Sequence, residues 1–444
     1  MNTRLVRMSG LFFLLSFIAF AQPVIGPIVR FETVVGNIDV ELFPDRAPLT
    51  VANFLNYVQR GSYDNTIFHR SVRSFIIQGG GYKWENGQAT PIAEDPPVKN
   101  EYRISNTRGT IAMAKLDGDP NSATSQWFFN TANNSEALNG QNGGFTVFGR
   151  VASQASLVVM NQIASLPIDA SSETPLLTAG AINNDSVVLI RSIRLIPFIS
   201  ANGVITAGGF GGAASAAAGS FIEIYGTDLA ADTRTWSETD FTNGRAPTSL
   251  NDVSVSINGR PAYVYFISPK QVNVQVPEGV APGETVDVIV THKGLVSAAG
   301  RIAIKAVAGG MLAPASFRVD GRQYVVATRA DGSYVSNGRV PNLPMSPAIP
   351  GQTIVFYGTG FGPLGSAPIA GQIASGPTDI MTPIRVSIGG SEARLDYKGL
   401  APGFVGLYQF NVVVPPDAQS GDLPVTITLG SETLPQTLYL PVQR

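Results

Sequence analysis

Two stretches in the second half of the chain read alike. "GSFIEIYGTDLA" (219–230) parallels "GQTIVFYGTGFG" (351–362), and Tyr225 and Tyr357 stand 132 residues apart. Two further pairs follow in the same order. "VSINGRPA" (255–262) answers "VSIGGSEA" (386–393), and "QVNVQVPEGVAPGETVDVIV" (271–290) answers "QFNVVVPPDAQSGDLPVTIT" (409–428). Preserved order at similar spacing marks an internal duplication, so each copy is expected to be one folding unit. Within a copy, apolar and polar side chains alternate with period two, and Asn-Gly, Gly-Gly or Pro-Gly turns end the runs. That is the pattern of short antiparallel strands with one buried face. Two β-sandwich units are therefore expected, over 198–305 and 306–444, with 306–350 an extra strand-rich piece that completes the second unit or bridges the two.

Composition agrees. Of 444 residues, 47 are Gly and 31 Pro, while charged residues make up only 14%; many short strands joined by turns need such a mixture. The chain has no Cys and two His, so disulfides, thiolate nucleophiles and Cys-based zinc sites are excluded and a multi-His metal site is not expected. Net charge is −2 with no long Lys/Arg run, which argues against nucleic acid and against a polybasic membrane patch. The two copies resemble the immunoglobulin-like TIG/IPT modules with their "YGTGF"-like turn, found at the C-termini of exported bacterial proteins. No catalytic constellation stands out there. His292 lacks recognisable partners, and Tyr225 and Tyr357 read as corner or core residues.

Residues 1–21 read as an export signal: Arg4 and Arg7, then an apolar run over 11–20, then Ala19-Phe20-Ala21 as small residues at a cleavage point. An uncleaved membrane anchor is the alternative. The expected location is outside the cytoplasm, periplasmic or extracellular, with no membrane span after cleavage.

The stretch 28–197 mixes both periods. Alternating runs over 29–33 and 38–42 flank Gly36-Asn37, a hairpin signal. Pro48 opens a helix with Val51, Phe54, Leu55 and Val58 on one stripe and Gly61 at its end. A second helix is expected over 156–164, with Leu157, Met160, Ile163 and Ala164 on one side. Short strands are expected at 75–78, 110–114, 126–130 and 145–149. Strands with a helix near each end suggest a β-barrel plugged at its two mouths.

Here "FHRSVRSFIIQGGG" (68–81), "GTIAMA" (109–114), "NSATSQWFFNTA" (121–132) and "FTVFGRV" (145–151) resemble the cyclophilin family of peptidyl-prolyl cis–trans isomerases, in order and spacing. The resemblance implies a mainly β chain: an eight-stranded antiparallel barrel capped by two helices, followed by the two immunoglobulin-like sandwiches. It implies a groove for proline-containing polypeptides on the outer face of the barrel. It puts Arg70 on the catalytic arginine and Gln78 on the glutamine that positions it. Phe75, Ile76, Ala114, Gln126, Phe128, Leu138 and Phe145 fall on the groove and its proline pocket. Three positions depart from the family pattern: Ala137 where an aromatic is usual, Lys115 for an asparagine, and Phe145 for His or Tyr. No cofactor and no metal are implied.

Such chemistry needs no bond broken. Rotation about an X-Pro amide crosses about 18–20 kcal/mol, and a fixed guanidinium beside an apolar socket favours the twisted form. Each residue also has a plainer reading: Arg70 as a solvated ion-pair partner, Phe75 and Phe128 as barrel core, Gln78 as a turn cap, His69 as a packed side chain. Residues 117–128 mimic the start of a calcium loop, but Ser122 and Phe128 occupy its Gly and Glu positions. The Gly-rich run 208–220 lacks the Gly-Lys-Ser/Thr ending of a phosphate loop and reads as a flexible lead-in. The expected function is an exported peptidyl-prolyl isomerase assisting folding of envelope or secreted proteins, its sandwiches meeting an envelope or surface partner. The alternative is a proline-peptide or cell-surface binding protein with little turnover, the sandwiches carrying recognition.

Overall fold

The computed structural model describes residues 26–208, 213–365 and 370–444. The export signal read at 1–21, and positions 209–212 of the Gly-rich lead-in, lie outside the described residues. Contacts divide the chain into two units that meet in sequence at Ile196 and Pro197.

In the first unit, β1 (Ile28–Thr33) and β2 (Asn37–Leu42) form the expected hairpin, with Phe31 opposite Ile38 and Glu32 opposite Asn37. Helix α1 (Pro48–Gln59) begins on Pro48 but has no side-chain cap of its own. The Glu101 carboxylate supplies one instead, accepting from the Leu49 and Thr50 amides at 3.2 and 2.9 Å. A negative group is favoured there because the first amides of a helix have no internal partner. The buried face of α1 is Val51, Phe54, Tyr57 and Val58, so Tyr57 replaces the expected Leu55, which is half-buried. Gly61 ends the helix with φ +69°.

The remaining strands are β3 (Thr66–Ile67), β4 (Arg70–Val72), β5 (Ile76–Gly79), β6 (Tyr82–Glu85), β7 (Gln88–Pro91), β8 (Thr110–Met113), β9 (Trp127–Asn130), β10 (Val147–Val151) and β11 (Leu189–Ile196). Their order in the sheet is β4-β5-β9-β8-β10-β2-β1-β11-β3-β6-β7. In the chain, β3 and β4 are separated only by Phe68 and His69. The Phe68 amide donates to Val188 O at 3.2 Å and the His69 amide to Gln78 O at 3.1 Å, which continues both flanking ladders. The sheet thus closes through one bent strand into an eight-stranded barrel, and the β6–β7 hairpin extends beyond it. Phe31, Trp127 and Phe129 meet edge-on inside, with ring centroids 5.0–5.5 Å apart. Helix α2 (Ser135–Leu138) is a single turn that periodicity does not reveal. Helix α3 (Gln154–Ser165) starts on Ser153, whose hydroxyl accepts from the Ser156 amide, and adds Met160 and Ile163 to the same core as Phe54.

The three glycines at 79–81 serve close approach. A Cβ on Gly79 would lie 2.7 Å from the Trp127 ring, one on Gly80 2.6 Å from its Nε1, and one on Gly81 2.9 Å from the Gln126 amide carbon. Gly80 also has φ +80°.

In the second unit, one sandwich faces the sheet of Phe198–Thr206, Phe221–Thr227, Gln271–Gln275, Tyr263–Ile267 and Arg234–Thr235 against one built on Gly300–Ile304, Thr285–His292 and Val253–Ile257. The other is built on Thr353–Thr359, Tyr408–Val413, Ser391–Leu400, Ile384–Ile388 and Gly421–Leu429. Strands Gly310–Met311 and Ala327–Thr328 pair with Thr353–Thr359, so the piece before 350 completes the second sandwich. The duplication survives in register. Tyr225 pairs with Gln271 and Tyr357 with Gln409. Gln271 donates to Asn273 at 2.8 Å, as Gln409 does to Asn411 at 2.9 Å.

Gly80→Ala is expected to destabilise the first unit by about 2 kcal/mol or more, since a left-handed backbone and a collision with Trp127 add. Urea unfolding followed by Trp fluorescence checks this; an unchanged midpoint would contradict it.

Candidate functional site

Strand alternation sorts the side chains of β5, β8, β9 and β10 onto two faces. Ile77, Ile111, Met113, Trp127, Phe129 and Phe148 point into the barrel core. Their neighbours Ile76, Ala112, Phe128 and Val147 form a separate apolar cluster with Leu138, bordered by half-buried Val72, Phe75, Ala114 and Phe145. Six of the seven groove residues expected from the sequence therefore meet in one cluster on the outside of the barrel. Phe128, 3% exposed, packs edge-on against Phe145 at 5.7 Å. Core packing, the plain reading of Phe128 and Phe75, is not where they lie.

Register aligns the polar residues with this cluster. Arg70 pairs with Gln78, Gln78 with Phe128, Phe128 with Ala112, and Ala112 with Val147. Directly opposed residues project to the same face. Arg70 thus stands two strand spacings, about 10 Å, from the strand carrying Phe128.

The hydrogen bonds differ from those the resemblance implied. The Gln78 amide donates to Gln126 Oε1 at 2.9 Å, not to the arginine's support. Gln126 lies on the same face two residues along from Phe128. The Arg70 Nε–H donates to Glu173 Oε2 at 2.7 Å, with the two side chains 41% and 49% exposed. Glu173 sits on a loop 103 residues away, which local sequence pattern does not reveal. Burial holds the His69 ring neutral, its pKa pushed down to about 4, with the neighbouring Arg70 charge adding to that.

A buried asparagine ladder backs this cluster. Asn134 Nδ2 donates to Phe75 O at 2.7 Å and to Asn130 Oδ1 at 2.8 Å. Asn130 donates to Asn106 Oδ1 at 3.2 Å, and Asn106 donates to Phe145 O at 3.1 Å. Both aromatic walls are therefore pinned by main-chain carbonyls to one network. These asparagines were missed in the sequence; "FFNTANN" (128–134) carries two of them without a motif to mark their role.

The three departures from the family pattern have distinct outcomes. The Lys115 ammonium donates to Asn142 O and Gly144 O, each at 2.7 Å, and lies 4.7 Å above the Phe145 ring. It ties down the loop ahead of Phe145, and burial lowers its pKa. Ala137 is exposed at the rim beside Leu138 and leaves that side without an aromatic wall.

In the second unit, sequence reasoning missed Glu223. It is fully buried, accepts the Tyr225 hydroxyl at 2.5 Å, and burial pushes its pKa up to about 7. Among the described residues, no group of three or more acidic or histidine side chains is placed to hold a metal.

Both halves of the chain are similar to known families. The family model "Cyclophilin type peptidyl-prolyl cis-trans isomerase/CLD" matches residues 28–183, and the "IPT/TIG domain" model matches 213–303. A peptidyl-prolyl cis-trans isomerase of Acinetobacter baylyi is 40% identical over 151 residues, covering 33% of this chain and 77% of that protein. Peptidyl-prolyl cis-trans isomerase B of Escherichia coli is 43% identical over 138 residues, covering 29% and 80%. A solved cyclophilin type isomerase of Cryptosporidium parvum is 26% identical with a TM-score of 0.30, covering 38% of this chain and 98% of its own.

His69 and Glu223 give the two units opposite pH responses. A neutral His69 contributes stability that is complete above its unfolded pKa of 6.5 and is lost as pH falls toward about 4. Glu223, raised from 4.5 to about 7, contributes stability that is complete below 4.5 and is lost as pH rises through 7. Each amounts to about 3 kcal/mol by the usual conversion. Unfolding midpoints across pH 4–7 for wild type and for Glu223→Gln check this: the substitution should flatten only the second unit's response. A His69 NMR titration with a midpoint near 6.5 would contradict the first half.

Proposed function

The chain belongs to the cyclophilin-type peptidyl-prolyl cis-trans isomerase family, and from that premise we propose that Arg70 is the catalytic residue and the outer apolar cluster its proline socket. The observation that carries this reading is the row of paired residues running from Arg70 through Gln78 and Phe128 to Ala112.

Rotation of the X-Pro amide needs only that its twisted form be favoured. When the amide twists, resonance is lost and the proline nitrogen becomes a hydrogen-bond acceptor. A guanidinium donor meets that nitrogen only in the twisted form, so the interaction lowers the barrier without tightening ground-state binding. Arg suits the task because it stays charged and offers five N–H groups. A thousandfold acceleration corresponds to about 4 kcal/mol. Phe75, Ile76, Phe128, Leu138 and Phe145 hold the ring while the preceding carbonyl swings. Ala114 and Gln126 line the approach, and Gln78 keeps Gln126 oriented. His69, neutral above about pH 4, takes no part in proton transfer; the reaction requires none.

Export and clients belong to the same proposal. Arg4, Arg7 and the apolar run over 11–20 support delivery to the periplasm or the outside of the cell. There the enzyme acts on proline-containing envelope or secreted polypeptides, and the C-terminal sandwiches dock it on an envelope or surface partner.

Arg70→Ala is expected to lower kcat/KM on a proline tetrapeptide by about 100-fold, with the far-UV CD spectrum and Tm retained. A wild-type rate equal to that of solvent would refute the isomerase assignment for this site. Cell fractionation tests export: the protein should leave the cytoplasm and lose its first ~21 residues, the length typical of such signals.

A further inference from the structure

We propose that Glu173 is the positioning residue of this site, holding the Arg70 guanidinium in place for the prolyl amide; the inference rests on the isomerase reading of Arg70. Three contacts join residues 173 and 174 to the strand that carries the arginine. The Arg70 Nε–H donates to Glu173 Oε2 at 2.7 Å, the Ser71 amide donates to Glu173 O at 2.8 Å, and the Thr174 hydroxyl donates to His69 O at 3.1 Å. The side-chain contact is therefore not a chance meeting of two long surface residues. It is flanked by one main-chain bond and one bond from the Thr174 hydroxyl to a main-chain carbonyl.

The loop itself is built to stay put. Glu173 N donates to Asp169 O and Asp169 N to Thr174 O, each at 2.9 Å, while Leu176 N donates to Pro167 O at 2.8 Å. Thr174 and Leu176 are buried. Glu173 adopts φ +58°, a left-handed conformation uncommon for a non-glycine residue. Such a backbone persists only where surrounding contacts dictate it, and it aims this carboxylate back over β4.

The need for such a support is local. Gln78, placed by register beside Arg70, spends its amide on Gln126. Arg70 is 41% exposed and would otherwise sample many rotamers. A long arginine side chain has about 2 kcal/mol of rotamer entropy to lose, and a donor already in place avoids that cost at the transition state. The carboxylate occupies Nε–H and leaves the terminal N–H groups free to face the amide. Both partners are half in water, so the pair leaves the guanidinium's charge available.

The test compares wild type with Glu173→Ala, Glu173→Gln and Arg70→Ala, all in the full chain. The readouts are tetrapeptide kcat/KM, peptide Kd by NMR titration, and the arginine 15Nε–H spectrum. Expected is a loss of about 3- to 5-fold in kcat/KM for Glu173→Ala, with peptide Kd unchanged because the apolar socket is untouched. Glu173→Gln, whose carbonyl can still accept from Nε–H, should recover most of it. Glu173→Ala in the Arg70→Ala background should cost nothing further. Wild type should show several protected Nε–H signals, since Arg30 and Arg150 among others also donate from Nε to carboxylates. The one that disappears in Arg70→Ala is Arg70's, and it should lose its protection in Glu173→Ala. Activity of Glu173→Ala at or above wild type would overturn the proposal and make the carboxylate a competitor of the substrate. A loss accompanied by weaker peptide binding, with no rescue by Gln, would overturn it too, as loop damage. If wild type itself proves inactive, the isomerase reading fails, and an unprotected Arg70 Nε–H would then sink the positioning claim separately.

Discussion

A β-strand has two faces, and around the groove both are apolar. On β5, β8, β9 and β10 one set of side chains fills the barrel and the next set builds the outer cluster. That is an unusual demand. An antiparallel strand over a solvated surface normally alternates apolar with polar residues. Runs such as Phe75-Ile76-Ile77 and Trp127-Phe128-Phe129 break alternation because both faces are used. The exposed side of the barrel therefore carries greasy surface that folding alone does not require, and a peptide that covers it gains the burial energy the fold has left open.

This two-sidedness explains what the sequence made legible. Continuous apolar runs between turn signals are visible locally, and so is the order of the motifs. The barrel, its two principal helices and six members of the outer apolar cluster follow from them. What was hidden depends on contacts between distant segments. The cap of α1 comes from Glu101, the support of Arg70 from Glu173, and the anchoring of Phe75 and Phe145 from asparagines at 106, 130 and 134. None of these has a periodicity. Polar groups satisfied across long separations leave no local trace, because any of several nearby residues could have served as the partner. The resemblance misjudged Gln78 for the same reason: it matched the residue, while its hydrogen bond is decided by Gln126.

The duplicated half illustrates how such copies part. Backbone register, which joins the strand pair, persists in both, and so does the Gln-x-Asn bond along one strand of it. The position opposite the shared asparagine has diverged: Glu223 faces Asn273, and Val355 faces Asn411. A buried carboxyl is costly when charged and tolerable when protonated or hydrogen-bonded. Tyr225 supplies the hydrogen bond in the first copy. In the second, with Val355 in place of the carboxyl, Tyr357 interacts with Thr328 from an added strand. The extra piece before residue 350 thus takes over a role that a side chain fills in the first copy.

The exposure of the Arg70–Glu173 pair sets its strength, and that strength suits its place. Had the two groups been buried, desolvation would have made the pair either very stable or very costly, and the arginine would have answered poorly to an arriving amide. In water-facing surroundings such a pair is worth under about 1 kcal/mol. That is enough to bias the rotamer of an exposed arginine toward a carboxylate whose loop is itself held by main-chain contacts. It is far less than the barrier of about 18–20 kcal/mol that separates a planar prolyl amide from its twisted form. A weak, well-aimed contact can therefore orient the donor without competing for it, and the aim comes from the backbone of the loop rather than from the charge.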